Sequence, residues 1–137
     1  MQEYLVWIIT HHREGAGSDM NLYLRFCGTV GKSKEIGPYT NFEAGTRKSV
    51  KFSTFESLGD ITQCYVRFVK TPNTTDSIWN GHIHVVPLSD YKEHPGWVFI
   101  FPWTVNCDDN CSAQHFTLKR VAGISEKEED VPKSICD

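Results

Sequence analysis

The residues best suited to chemistry in this 137-residue chain lie in short loops rich in glycine, asparagine and acidic side chains. Residues 15–21, GAGSDMN, set two glycines beside Asp19. Glycine permits tight or left-handed backbone that presents carbonyl oxygens, and the carboxylate adds a charged oxygen; together they suit a hard cation such as Ca²⁺. Such an ion takes about six to eight oxygens, so other loops would have to converge. The candidates are Asn41 and Glu43 in one loop and Asn73 and Asp76 in another. The plainer reading is that these side chains only make turns.

Met20, Ile78 and Trp79 stand close to those loops and could seat themselves in a lipid interface, where an amphipathic ring is favoured. A calcium ion beside them would offset the local carboxylates and let the loops approach anionic headgroups. Trp79 would serve equally well as a core anchor on its strand. His82 and His84, two apart, share one strand face at a spacing zinc sites use, but no third ligand can be named. A polar outward face, with Ile83 and Val85 inward, is the simpler account. His11 and His12 read as loop polarity.

Cysteines stand at 27, 64, 107, 111 and 136, an odd count that leaves at least one unpaired or bonded elsewhere. Cys107 and Cys111 in CDDNC lack the cationic surroundings that activate a thiolate, so a short disulfide-closed loop, or a bridge from one of them to Cys136, is expected. There is no G-x-S-x-G elbow, H-E-x-x-H helix, P-loop or dinucleotide fingerprint, so no catalytic residue is assigned and a non-enzyme is expected. The net charge of −3 argues against nucleic acid, whose phosphates demand a basic footprint. No apolar run approaches the ~20 residues of a membrane-spanning helix. The sequons at Asn73 and Asn110, with the cysteines near the C-terminus, lean toward a secreted or extracellular-facing protein; a cytoplasmic peripheral membrane protein is the alternative.

The elements that must position these residues read as strands. Residues 4–10, YLVWIIT, are β-branched and aromatic, and residues 21–27 alternate with Leu22, Leu24 and Phe26 on one face. Extended pieces follow at 34–39, with Pro38 near an edge, at 48–54 with Val50 and Phe52 inward, and at 61–69, 78–88, 97–103 and 115–122. About eight short strands separated by Gly, Pro and Asn loops, without a helical period, predict an all-β sandwich.

The order of these segments resembles the PLAT (lipoxygenase homology) family over roughly residues 3–105. The first strand, the GAGSD loop and the second strand ending at Gly28 resemble its opening. FEAG at 42–45, LGDI at 58–61, Ile78-Trp79 and WVFIFPW at 97–103 resemble its later segments. The resemblance implies an eight-stranded antiparallel sandwich of two four-stranded sheets, serving membrane or protein association, often through Ca²⁺. It also implies Gly17 as a carbonyl ligand, joined by Asp19, Asn41, Glu43, Asn73 and Asp76. Two departures lower the local negative charge: TPNTT at 71–75 stands where the family offers Asp-Asn and a glycine, and His11-His12-Arg13 where it often has Gly-Asp. The expectation is a PLAT-like core over 3–105, a cysteine-containing extension with a last strand over 106–125, and a charged tail over 126–137. Its function is expected to be lipid-interface binding, calcium-assisted, or alternatively metal-free docking to a protein.

Overall fold

The computed structural model of the chain describes residues 1–12, 16–72, 74, 78–90, 92–101, 104–107 and 111–121. Among the described residues ten strands follow in chain order: β1 Gln2–Thr10, β2 Asn21–Gly28, β3 Ile36–Tyr39, β4 Arg47–Thr54, β5 Ile61–Val69, β6 Ile78–Trp79, β7 Gly81–Pro87, β8 Trp97–Ile100, β9 Val105–Asn106 and β10 Ala113–Lys119. Eight of them build two four-stranded sheets, ordered β4-β1-β7-β8 and β10-β5-β2-β3, and β6 pairs with β9 in a small third ribbon. All the pairings are antiparallel. The expected sandwich is therefore present, and β3 with its Pro38 lies at a sheet edge, where a missing N–H costs no ladder bond.

Period-two alternation decides what faces inward. Val6 and Ile8 from β1, Leu22, Leu24 and Phe26 from β2, Ile83 and Val85 from β7, and Phe99 from β8 are fully buried between the sheets. The Phe26 ring stacks on Phe52 at 5.2 Å, and Phe52 stacks on Tyr4 at 4.9 Å, so aromatic faces bridge β2 of one sheet to β4 and β1 of the other. His82 and His84 point to the outer face, as the alternation requires.

Three strands differ from the sequence expectation. The run 78–88 is interrupted at Asn80, whose buried backbone leaves the ladder: its N–H donates to the Ala16 carbonyl (3.0 Å) and its carbonyl accepts from His11 (3.1 Å). At Gly81 a Cβ would lie 2.1 Å from the Ile9 carbonyl, so β7 starts where only glycine can pass. Within the run 97–103 the strand covers Trp97–Ile100, and residues 102 and 103 lie outside the described residues. The last strand covers Ala113–Lys119 and pairs along the whole of its length with β5, which makes it a member of the second sheet. The 126–137 tail lies outside the described residues. Cys107 and Cys111 form a disulfide, Cys27 is disulfide-bonded too, and Cys64 is free and buried.

The Tyr4 hydroxyl accepts a hydrogen bond from the Leu58 N–H at 3.0 Å, in a buried position. Tyr4→Phe keeps the ring stack but strands that amide, so a loss of about 1–3 kcal/mol is expected in urea unfolding. An unchanged midpoint would mean that water reaches the amide.

Candidate functional site

Strand direction puts the acidic loops at one end. Ile9 pairs with Arg47 and Asn21 with Val69, so the loops after β1, before β4 and after β5 emerge together. Ser18 forms a two-way bridge with Phe42: its N–H donates to the Phe42 carbonyl at 2.7 Å and its carbonyl accepts at 2.8 Å. This close approach needs Gly17, where a Cβ would meet the Phe42 carbonyl at 2.5 Å and the Ala44 nitrogen at 3.0 Å. Asn41 holds the left-handed conformation at φ 64°, which Asn tolerates better than most residues. The Thr40 hydroxyl donates to the Asp19 carbonyl at 2.9 Å. Gly17, Asp19, Asn41 and Glu43 are thus held on adjoining loops, while Asn73 and Asp76 lie outside the described residues.

A cation of the chain's own already sits there. Lys48 occupies an inward-facing position of β4, in phase with Val50 and Phe52. Its ammonium lies 5.0 Å from the Phe42 ring centroid and donates to the Thr40 carbonyl. This residue was missed in the sequence, although a lysine in phase with Val50 and Phe52 was its visible signal. A fixed positive charge opposes an incoming divalent ion. Among the described residues no three His, Cys, Asp or Glu side chains are grouped so as to hold a metal. That grouping counts neither the Gly17 carbonyl nor the Asn41 amide, and Asn73 and Asp76 lie outside the described residues.

The lipid-contact role expected of Met20 and Trp79 does not fit their burial, since both have 0% exposure. The Trp79 indole packs against Phe68 at 5.2 Å and Phe101 at 4.8 Å, and its Nε1–H donates to the Thr10 hydroxyl at 3.1 Å. It is the core anchor that the alternative reading allowed. Ile78 is half-buried in β6.

Exposed apolar side chains occur at the opposite end. Phe55 is 90% exposed and Val30 68%. Their loops are tied together, Val30 donating to the Leu58 carbonyl (3.1 Å) and Thr29 to the Asp60 carbonyl (2.9 Å). A cleft of about 400 Å³ opens beside Phe55, lined by residues that include Lys32, Lys34, Ile36 and Phe52. Neither hydropathy nor alternation had singled out this end.

The outer face of the β4-β1-β7-β8 sheet is the other unusual surface. Leu5, Trp7 and Ile9 are half-buried there, next to His82, His84, Val98 and the 49% exposed Ile100. The Trp7 ring lies 5.2 Å from His84 and 6.0 Å from the Arg47 guanidinium carbon. His84 Nε2 is 2.9 Å from the Pro95 carbonyl. Burial, then the neighbouring His11 and His84, push the His82 pKa below its ordinary value. Burial also drives the Cys64 thiol far up, which leaves this free cysteine protonated and unsuited to nucleophilic work.

Similarity to known proteins agrees with this geometry. The model of the PLAT/LH2 domain family matches residues 4–98. The chain belongs to this family. Its PLAT sandwich resembles the Delta413-417:GS lipoxygenase in complex with arachidonate, with a TM-score of 0.71, 19% identity and 89% of this chain covered. It also resembles the coral 8R-lipoxygenase, described as calcium-activated via a C2-like domain, with a TM-score of 0.63, 19% identity and 88% coverage. The chain spans 17% of the length of each of these lipoxygenases. No curated protein matches it by sequence.

Two outcomes are expected from these contacts. A histidine whose folded pKa is depressed binds fewer protons folded than unfolded, so stability is full above the unfolded value of about 6.5 and is lost as pH falls through the folded value. His82→Gln should flatten that part of a melting-temperature profile between neutral and mildly acidic pH. Calcium should shift the melting temperature of the unaltered chain little and that of Lys48→Gln more, because bound ligand stabilises by mass action. A large shift in the unaltered chain, abolished by Asp19→Ala, would overturn the opposition assigned to Lys48.

Proposed function

We propose that this PLAT domain is a non-catalytic module that attaches whatever carries it to a lipid interface. The observation that carries the reading is the joint exposure of Phe55 and Val30 on two hydrogen-bonded loops at one end of the sandwich. Leaving a phenylalanine in water forgoes roughly 1.5–3 kcal/mol of burial, and an interface recovers part of it. Lysines near such a tip add attraction to anionic lipid. Membership of the PLAT family supports lipid or membrane association in general, and the coral lipoxygenase is described as calcium-activated via a C2-like domain.

Calcium enters this reading as a weak assistant at the other end, opposed by the Lys48 ammonium, through Gly17, Asp19, Asn41 and Glu43 together with Asn73 and Asp76. With Met20 and Trp79 buried, an ion there would brace the loops rather than bring them to a membrane. Cys107–Cys111 and the bonded Cys27 favour an oxidising, extracytoplasmic setting for the domain.

A second reading, docking to a protein without metal, is favoured by Trp7 and Ile100 on the outer sheet face, because half-exposed aromatic and aliphatic side chains on a flat sheet suit an interface core. The two readings part in a vesicle co-sedimentation experiment. Phe55→Ala together with Val30→Ser should weaken binding by roughly five- to thirtyfold, the equivalent of ~1–2 kcal/mol of lost apolar contact, while Trp7→Ser leaves it unchanged. If Trp7→Ser abolishes sedimentation and the loop variant does not, the outer sheet face is the interface.

A further inference from the structure

The cleft beside Phe55 says more than that this end is apolar. Its walls come from the segment leading into β3, with Lys32, Lys34 and Ile36, and from the end of β4, with Phe52, Thr54 and Phe55. The floor is preformed: Phe52 is 8% exposed and fixed by its stacks on Tyr4 and Phe26. Ser33 locks the rim, its hydroxyl accepting from the Phe26 N–H at 2.9 Å and donating to the Lys34 carbonyl at 2.9 Å. Arg25 secures the same segment through a 3.1 Å bond to the Ser33 carbonyl. A rigid apolar floor beneath two exposed ammonium groups is a shape for one kind of ligand, an anion carried on an apolar stem.

The charge at the rim is free to act. Glu35, between Lys34 and Ile36, is held by Arg67 at 2.7 Å, so its charge is already answered. Glu56 is exposed and does not line the cleft. The chain as a whole carries −3, yet the groups lining the cleft that bear charge are both lysines. A volume near 400 Å³ lies within the range of sites that take a small molecule or one headgroup.

Resting on the lipid-interface reading, the geometry points to this cleft as a calcium-independent seat for the headgroup of an anionic phospholipid in a bilayer, with Lys32 and Lys34 on the headgroup and Phe55 and Val30 in the interface around it. The domain then meets the membrane with the end opposite Gly17 and Asp19.

The test is co-sedimentation of the full chain, in excess chelator, with vesicles of phosphatidylcholine alone and of phosphatidylcholine mixed with phosphatidylserine. Binding is expected to the mixed vesicles and to fall roughly fivefold per lysine in Lys32→Gln and in the Lys32→Gln, Lys34→Gln pair. Both lysines are exposed, and circular dichroism of each variant confirms the fold. Equal binding to the two vesicle types overturns headgroup selection while leaving the lipid-interface reading in place. Binding to neither overturns both. Undiminished binding of the double variant overturns the assignment of the cleft to a bilayer headgroup.

Discussion

An indole must be kept dry while its N–H is satisfied, and one end of this sandwich is arranged around both demands of Trp79. The hydroxyl of Thr10, at the last position of β1, takes the N–H, and Phe68 from β5 with Phe101 after β8 takes the ring faces. Phe42 meets the ring edge-on at 6.4 Å, so the loop that carries Asn41 and Glu43 is held by the same side chain. Each sheet and the β3–β4 loop are thus fastened through one residue. The position of the acidic loops is a consequence of this packing. The same loops are tied further by the Ser18–Phe42 bridge, by the Gly45 N–H to the Thr10 and His11 carbonyls, by the Asn80 N–H to the Ala16 carbonyl and by the Thr40 hydroxyl to the Asp19 carbonyl.

This dependence also explains what the sequence could and could not disclose. Alternation at Leu22, Leu24 and Phe26, and at His82, Ile83, His84 and Val85, states which face each residue takes, because a strand side chain has only two directions. It does not state whether a residue next to a loop stays in the strand. Trp79 and Met20 are both adjacent to polar loops, and polarity of neighbours suggested exposure, but Trp79 packs against Phe42, Phe68 and Phe101 and Met20 joins the same buried core. Convergence of Gly17 and Asp19 with Asn41 and Glu43 was expected because loops at one end of a sandwich cluster, and the family resemblance implied the same set, whereas their juxtaposition depends on register and on a cross-loop bridge. Phe55 went unnoticed for another reason: it follows β4 in the outward phase of Lys51 and Ser53, and nothing in the alternation marks a large apolar residue there as functional.

The two ends of the sandwich consequently differ in electrostatic character. At the Gly17 end, the Lys48 ammonium lies over the Phe42 ring and donates to the Thr40 carbonyl. At the Phe55 end, Lys32 and Lys34 flank apolar surface, and Arg67 keeps the Glu35 carboxylate ionised below its ordinary range. Proteins that meet an anionic surface gain attraction from local charge even when their net charge is negative, because screening limits the reach of distant groups to about 8 Å at physiological salt. The overall −3 is therefore no obstacle to such an encounter.

The family match ends at residue 98, but the second sheet continues to Lys119, through a strand that hydrogen-bonds to β5 from Ala113–Val69 to Lys119–Gln63. A fragment trimmed to the family boundary would uncover one side of β5, a nine-residue strand rich in aromatic and aliphatic side chains. Unpaired N–H and C=O groups along such a strand are a template for any other extended chain. Self-association of a shortened fragment would then report a missing neighbour, and the oligomers it formed would say nothing about the assembly state of the intact domain.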